Sequence, residues 1–270
     1  MIMVSTSGAL GRYISMPPPV TIWWRCILAA VFLGVYCWRS GIDLKLNIKK
    51  DGMIVALSGV LMVLHWTTYF YALQLSNVAL GMLSLFTYPA MTAFLEPIIL
   101  KTRFQKAHIG LAFLVLLGIY FLTPELDWGN KYTQGIGFGL LSALSYSLRN
   151  ILIKKKVTLY SGSTLMFYQM FVASLLLLPA IFSMSSSGLA DQWWAVLTLA
   201  LVTTAIGHTL FLSCFKHFSI STASLISSAQ PVYGIVIGMV FLGEIPAWTT
   251  VIGGVLILAT VVIESFRSYR

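Results

Sequence analysis

The chain has 270 residues, of which 58% are hydrophobic and 9% charged, with a mean hydropathy of +0.88. That leaves too little polar surface to coat a water-soluble globule, so a lipid bilayer is the natural solvent. The formal charge of +9 sits in short gaps between apolar runs rather than on one face, which argues for membrane topology and against nucleic acid as a partner.

In chain order, the first apolar segment runs from Met1 to Ile14. It offers about 21 Å of helix against the roughly 30 Å of a hydrocarbon core. No small-residue cleavage motif follows it before Arg12 and the turn "SMPPPV", so it does not read as a cleavable signal, and its length predicts either a short first helix or a truncated start. Nine longer spans follow at 19–38, 52–73, 78–100, 107–122, 134–153, 164–182, 193–215, 220–242 and 247–263. Connections such as 74–77 and 243–246 are brief, so consecutive helices are antiparallel neighbours without a soluble domain. The expected fold is an all-α membrane protein of ten transmembrane helices. Cys26, Cys37 and Cys214 all lie inside apolar stretches, with no spacing for a disulfide or a metal site, and read as core residues.

Lysines and arginines resist translocation, so their distribution orients the chain. One set of loops and the C-terminal tail holds thirteen of them, whereas the opposite set holds only Arg12 and Lys131. The C-terminus is therefore expected in the cytoplasm of a cell whose inner membrane the protein crosses. A shift of 142 residues lays the chain on itself: Pro89 falls on Pro231, Leu100 on Leu242 and Arg12 on Lys154. Five helices per half is odd, so the halves, 1–122 and 134–264, are expected to lie inverted relative to one another.

The paired prolines, each about halfway along its span in "LFTYPAM" and "SSAQPVY", carry the strongest functional signal. Proline removes a donor and frees the carbonyl four residues earlier, and interrupted helices at matching places in two halves point to a midplane binding site. The bland reading is a pair of kinks satisfied by Ser84, Ser227 and Ser228. His65 and His208 lie at similar depth, as proton carriers, solute contacts or plain interhelical hydrogen bonds. Arg25, in "TIWWRCILAA", lies about 9 Å inside its helix and must find an anion, carbonyls or water. A solute carboxylate or phosphate competes there with snorkelling to the headgroups. Arg149, close to Lys154, is expected to snorkel. Glu96 is expected to pair with the loop at Lys101 and Arg103, with proton relay as the alternative. Trp24, Trp66, Tyr69, Phe86, Tyr88, Tyr168 and Phe211 around the proline plane are numerous enough to line an aromatic cavity or to fill helix interfaces. Gly135 with Gly139, and Gly234 with Gly238, permit close helix approach. Zinc-helix, phosphate-loop and serine-elbow signatures do not occur.

The segments "TIWWRCILAA", "ALQLSNVALGMLSLFTYPAMTAFLEPIIL" and "STASLISSAQPVYGIVIGMVFLGEIPAWTTVIGGVLIL" together resemble the EamA type of the drug/metabolite transporter superfamily. The resemblance covers essentially the whole chain. The second half keeps the family's Leu-Gly-Glu at Leu242, Gly243 and Glu244, whereas the first has Leu100, Lys101 and Thr102 there. It implies ten helices in two inverted five-helix repeats and the transport of amino acids, other metabolites or drug-like compounds, often outward.

The resulting expectation is a secondary transporter that binds a small solute at Arg25, His65, Trp66, Tyr69, Tyr88, Pro89, His208, Gln230 and Pro231, without cofactor or metal. Proton coupling and a homodimer stay open. The competing classes are a histidine-dependent membrane enzyme acting on lipid and a non-transporting receptor or assembly subunit.

Overall fold

A computed structural model describes residues 2–101, 107–122, 127–217, 223 and 227–268. Among them every regular element is helical: α1 (Ile2–Tyr13), α2 (Pro18–Arg39), α3 (Ile48–Leu75), α4 (Val78–Leu85), α5 (Tyr88–Leu100), α6 (Ala107–Leu122), α7 (Lys131–Ile153), α8 (Gly162–Ser183) and α9 (Leu189–Thr198). A π-helical segment (Leu199–His208), α10 (Thr209–Cys214), α11 (Ala229–Leu242) and α12 (Trp248–Ser268) complete the order. Six stretches are long and apolar enough to cross a membrane: 18–39, 48–75, 78–100, 131–153, 162–183 and 189–214. The first part of the span expected at 220–242 lies largely outside the described residues.

Helix starts follow side-chain capping, because the first backbone N–H groups need acceptors. The side chains of Asn47, Asn77, Asn130 and Ser161 accept from Lys50, Leu80, Tyr132 and Thr164. Pro18 opens α2, where its missing N–H costs nothing. At the far ends, α5 and α11 both stop at a left-handed residue, Lys101 (φ 55°) and Gly243 (φ 68°), which are 142 positions apart. Glycine adopts that conformation without penalty, whereas Lys101 does so against its Cβ.

The long helices pack chiefly as α3 on α7 and α8, α2 on α8, α1 on α11, and α6 on α12. Small residues set the closest approaches. A Cβ on Gly135 would lie 2.9 Å from Ser76 Cβ on the α3–α4 turn, and one on Gly139 would lie 2.6 Å from Ser84 Cβ on α4. Gly234 of α11 likewise faces Met82 and the Ser5 carbonyl. On the outside the polarity is inverted relative to a soluble protein: Phe113, Leu116, Tyr120, Val240 and Phe241 are all more than 60% exposed. Such a surface is stable only against lipid.

Candidate functional site

The span 78–100 is two helices rather than one kinked helix, because the chain turns at Phe86 and Thr87 and restarts with Pro89 as the second residue of α5. Pro231 is the third residue of α11, directly after Gln230. Each proline therefore sits where an N–H would have no helical partner. The two starts meet: Tyr88 Oη and Ser227 Oγ lie 2.5 Å apart. Tyr88 is also held at its carbonyl by the hydroxyls of Thr92 and Ser147, each donating at 2.8 Å.

Beside this junction a small cavity of about 30 Å³ lies between helices. Rings constrict it, so that only about one or two water molecules fit before side chains move. His65, Trp66 and Tyr69 line it from α3, Tyr88 and Gln230 from the two proline starts, and His208 from the end of the π-helical segment. Six of the nine residues expected at the site thus share one wall. Pro89 and Pro231 shape it through the backbone. Tyr146 of α7, Met82 of α4 and Ser7 of α1 also line it, and nothing in their spacing singled them out. Tyr146 is central: its ring stacks on His65 at 4.4 Å and meets Tyr88 edge-on at 4.9 Å.

Arg25 is fully buried behind Trp66, with its guanidinium carbon 3.8 Å from the indole centroid. Its Nε donates to Thr204 Oγ1 at 2.6 Å and its Nη2 to Thr203 Oγ1 at 3.1 Å. Two adjacent threonines can face the same arginine because the wide π-helical turn lets both hydroxyls donate to the Leu199 carbonyl. Their protons are spent there, so each oxygen offers a lone pair to the guanidinium. Nη1 of Arg25 has no partner among the described residues. Snorkelling is excluded by this burial. The contact with Trp66 is a cation–π pair, and no carboxylate neutralises the charge among the described residues.

His65 has a determined tautomer. Ser142 Oγ donates to the His65 carbonyl at 2.8 Å, so the same oxygen must accept from His65 Nδ1 at 2.7 Å. Nδ1 carries the proton, and Nε2 is left as an acceptor. Trp66 separates the two histidines, its ring edge-on to His208 at 5.2 Å.

Two expectations need correction. Arg149 does not snorkel: it is 1% exposed, and its Nε and Nη2 donate to Gln169 Oε1. Interior amides satisfied it in place of headgroups. Glu96 pairs with Lys154 at 2.7 Å rather than with Lys101, because the end of α7 lies across from the last turns of α5; Arg103 of the expected loop lies outside the described residues. Of the two readings open for Tyr168, the interface one fits: it does not line the cavity and donates to the Leu44 carbonyl at 2.9 Å, since its side of α8 faces the α2–α3 connection.

Ion pairs close the two ends of the bundle. At one end Arg12 donates to Glu244 Oε1 at 2.8 Å, while Glu244 Oε2 accepts from Val78 N at the start of α4. Arg12 also reaches the Gln74 carbonyl, and Gln74 Nε2 donates to the carbonyls of Ile14 and Met16. At the other end Asp51 accepts from Lys156 and from Tyr160. The hydrogen bond to Asp51 retains the Tyr160 proton and pushes that phenol above its ordinary value.

The chain is similar to known proteins along most of its length. An uncharacterized transporter of Archaeoglobus fulgidus is 29% identical over 80% of this chain and 77% of its own. The pseudopaline exporter of Pseudomonas aeruginosa is 21% identical over 90% and 84%, and the S-adenosylmethionine uptake transporter of Rickettsia conorii 25% over 76% and 68%. One crystal structure covers 100% of this chain and 96% of its own with a TM-score of 0.72 at 18% identity, a match of fold. The EamA-like transporter family matches twice, at residues 1–123 and 133–266. The chain belongs to the EamA-like transporter family and is a multi-pass membrane transporter rather than an enzyme.

Proposed function

We propose that the protein is a secondary carrier that moves a small organic solute with an acidic group by alternating access. The observation that carries this reading is Arg25, fully buried with an unpartnered Nη1 and no counter-ion among the described residues, behind the wall of an internal cavity. A buried cation costs several kcal/mol without an anion, and a transported carboxylate or phosphate supplies one at each turnover. His65 Nε2 accepts a hydrogen bond from the solute or carries a coupled proton; Trp66, Tyr69 and Tyr88 enclose its body. Gln230 and His208 answer from the second half.

The scaffold is ten helices in two inverted repeats, 1–122 and 134–264, across the cell inner membrane with the C-terminus in the cytoplasm. Two features support it: α5 and α11 both carry a proline within their first three residues and end at left-handed residues 142 positions apart, and thirteen basic residues fall in alternate connections and the C-terminal tail. In that orientation the Arg12, Glu244 and Val78 cluster seals the outer end. The direction we propose is export, as the name of the pseudopaline exporter suggests.

Purified protein in liposomes, with and without a proton gradient, screened for uptake and counterflow of an amino-acid and metabolite library, tests the reading. Flux restricted to solutes with an acidic group is expected. Flux of neutral or cationic solutes only would overturn the role of Arg25.

A further inference from the structure

Arg149 is a second buried arginine without a counter-ion among the described residues. It lies on α7 one turn beyond Tyr146, the ring that stacks on His65 in the cavity wall. Nε and Nη2 donate to Gln169 Oε1 at 3.2 and 2.7 Å, and Nη1 donates to Asn150 Oδ1 at 3.0 Å. The consequence falls on Gln169. Its oxygen is spent on the guanidinium, and its amide nitrogen, on the other side of the carboxamide, is buried without an acceptor among the described residues.

The buried side-chain nitrogens without a partner among the described residues are Trp24 Nε1, Arg25 Nη1 and Gln169 Nε2. All three are N–H donors. The Thr67, Tyr69 and Thr209 hydroxyls are also without a partner there, but a hydroxyl can donate or accept, whereas the three nitrogens can only donate; beside two buried guanidiniums, an anionic oxygen is the acceptor that fits them. Arg25 stacks on Trp66 and Arg149 follows Tyr146 by one helical turn, so each stands behind a ring that lines the same cavity. By helix rise Arg25 lies about 10 Å, and Arg149 about 27 Å, from the Arg12 end of their helices. One carboxylate cannot touch both.

We propose that Arg149 and Gln169 form a second anion-binding station, nearer the cytoplasm, which takes the acidic group of the solute before or after Arg25 does. The ligand class is an organic acid, with a carboxylate or a phosphate, whose apolar body passes the rings of His65, Tyr146 and Phe211. The inference rests on the carrier reading above. It goes beyond it by giving the solute two successive anchors, one in each half.

The test is equilibrium dialysis of the purified full chain in detergent against labelled benzoate, with labelled inorganic phosphate as a parallel arm. Whichever probe binds identifies the carboxylate or phosphate chemistry. Gln169→Glu sets a carboxylate beside Arg149 and so occupies the station with the packing retained. Wild type is expected to bind two equivalents. Gln169→Glu should bind one, with the other weakened at least tenfold, and should unfold at a higher temperature than wild type in the absence of probe. Arg25→Met should lose the complementary equivalent. Unchanged binding in Gln169→Glu, with one equivalent lost in Arg25→Met, overturns the second station and leaves the carrier reading intact. Binding unaffected by both variants, or absent from wild type in both arms, overturns the two together.

Discussion

Replacing Arg25 by Met separates a binding role from a structural one. The thioether chain keeps the stem against Trp66 but removes the charge and its donors. The folded state loses a desolvated cation–π contact of about 2 kcal/mol and two charge-assisted hydrogen bonds of about 1.5–3 kcal/mol each. It also escapes the desolvation penalty of an uncompensated ion, which is itself several kcal/mol. Thr203 and Thr204 keep the Leu199 carbonyl as a partner, so no hydroxyl is orphaned. These terms nearly cancel, and the thermal midpoint in detergent should stay within a few degrees of wild type. The solute, by contrast, loses its charged partner. Truncating one side of a buried ion pair costs about 2–5 kcal/mol, or about 30-fold to about 4,000-fold in affinity. Initial flux in proteoliposomes at low solute should fall by at least the smaller factor. Arg25→Lys should not rescue it, since an ammonium cannot lie flat on Trp66 while reaching both threonines. Wild-type flux in Arg25→Met, or a collapse in stability to match the lost flux, would refute the assignment.

Other regions give independent expectations. Glu244→Gln removes the Arg12 ion pair and weakens the acceptor at the start of α4. In a background without Cys26, Cys37 and Cys214, a cysteine at Ser7 should then react several-fold faster with an impermeant maleimide added outside; an unchanged rate counts against the outer seal. Gly139→Ala forces α4 and α7 apart at Ser84, an overpacking cost of about 1–3 kcal/mol that should lower the thermal midpoint by several degrees. A neutral result would mean the helices do not approach as described. Tyr160 should ionise above the ordinary tyrosine value in an ultraviolet titration, and Asp51→Asn should bring it back. Because the folded value is the higher one, the stabilisation is complete below about pH 10 and fades as pH rises through the folded value. If the phenol titrates identically in wild type and Asp51→Asn, the contact is absent.

Much of the candidate site was legible because the bilayer makes polar residues conspicuous. An arginine or histidine in a twenty-residue apolar run has few places to go, so Arg25, His65 and His208 stood out before any contact was known. The prolines did so for a related reason, since a missing N–H interrupts a helix wherever the rest of the chain lies. Tyr146 and Ser142 gave no such signal. A tyrosine or serine in a helix is ordinary, and only the packing of α7 on α3 made one a wall of the cavity and the other the group that fixes the His65 tautomer.

The amino-acid sequence alone determined that the chain is helical and membrane-bound, and where its apolar runs and basic residues fall along the chain. Those properties follow from local hydropathy, helix rise and charge, none of which needs a neighbour. Partner choice needed the tertiary structure. Whether Arg149 reaches headgroups or Gln169, and whether Glu96 meets Lys101 or Lys154, depends on which helix stands opposite. The same holds for Arg25: its charge was readable along the chain, but its two threonines come from a π-helical turn 178 and 179 residues away, and they leave one guanidinium nitrogen without a partner among the described residues.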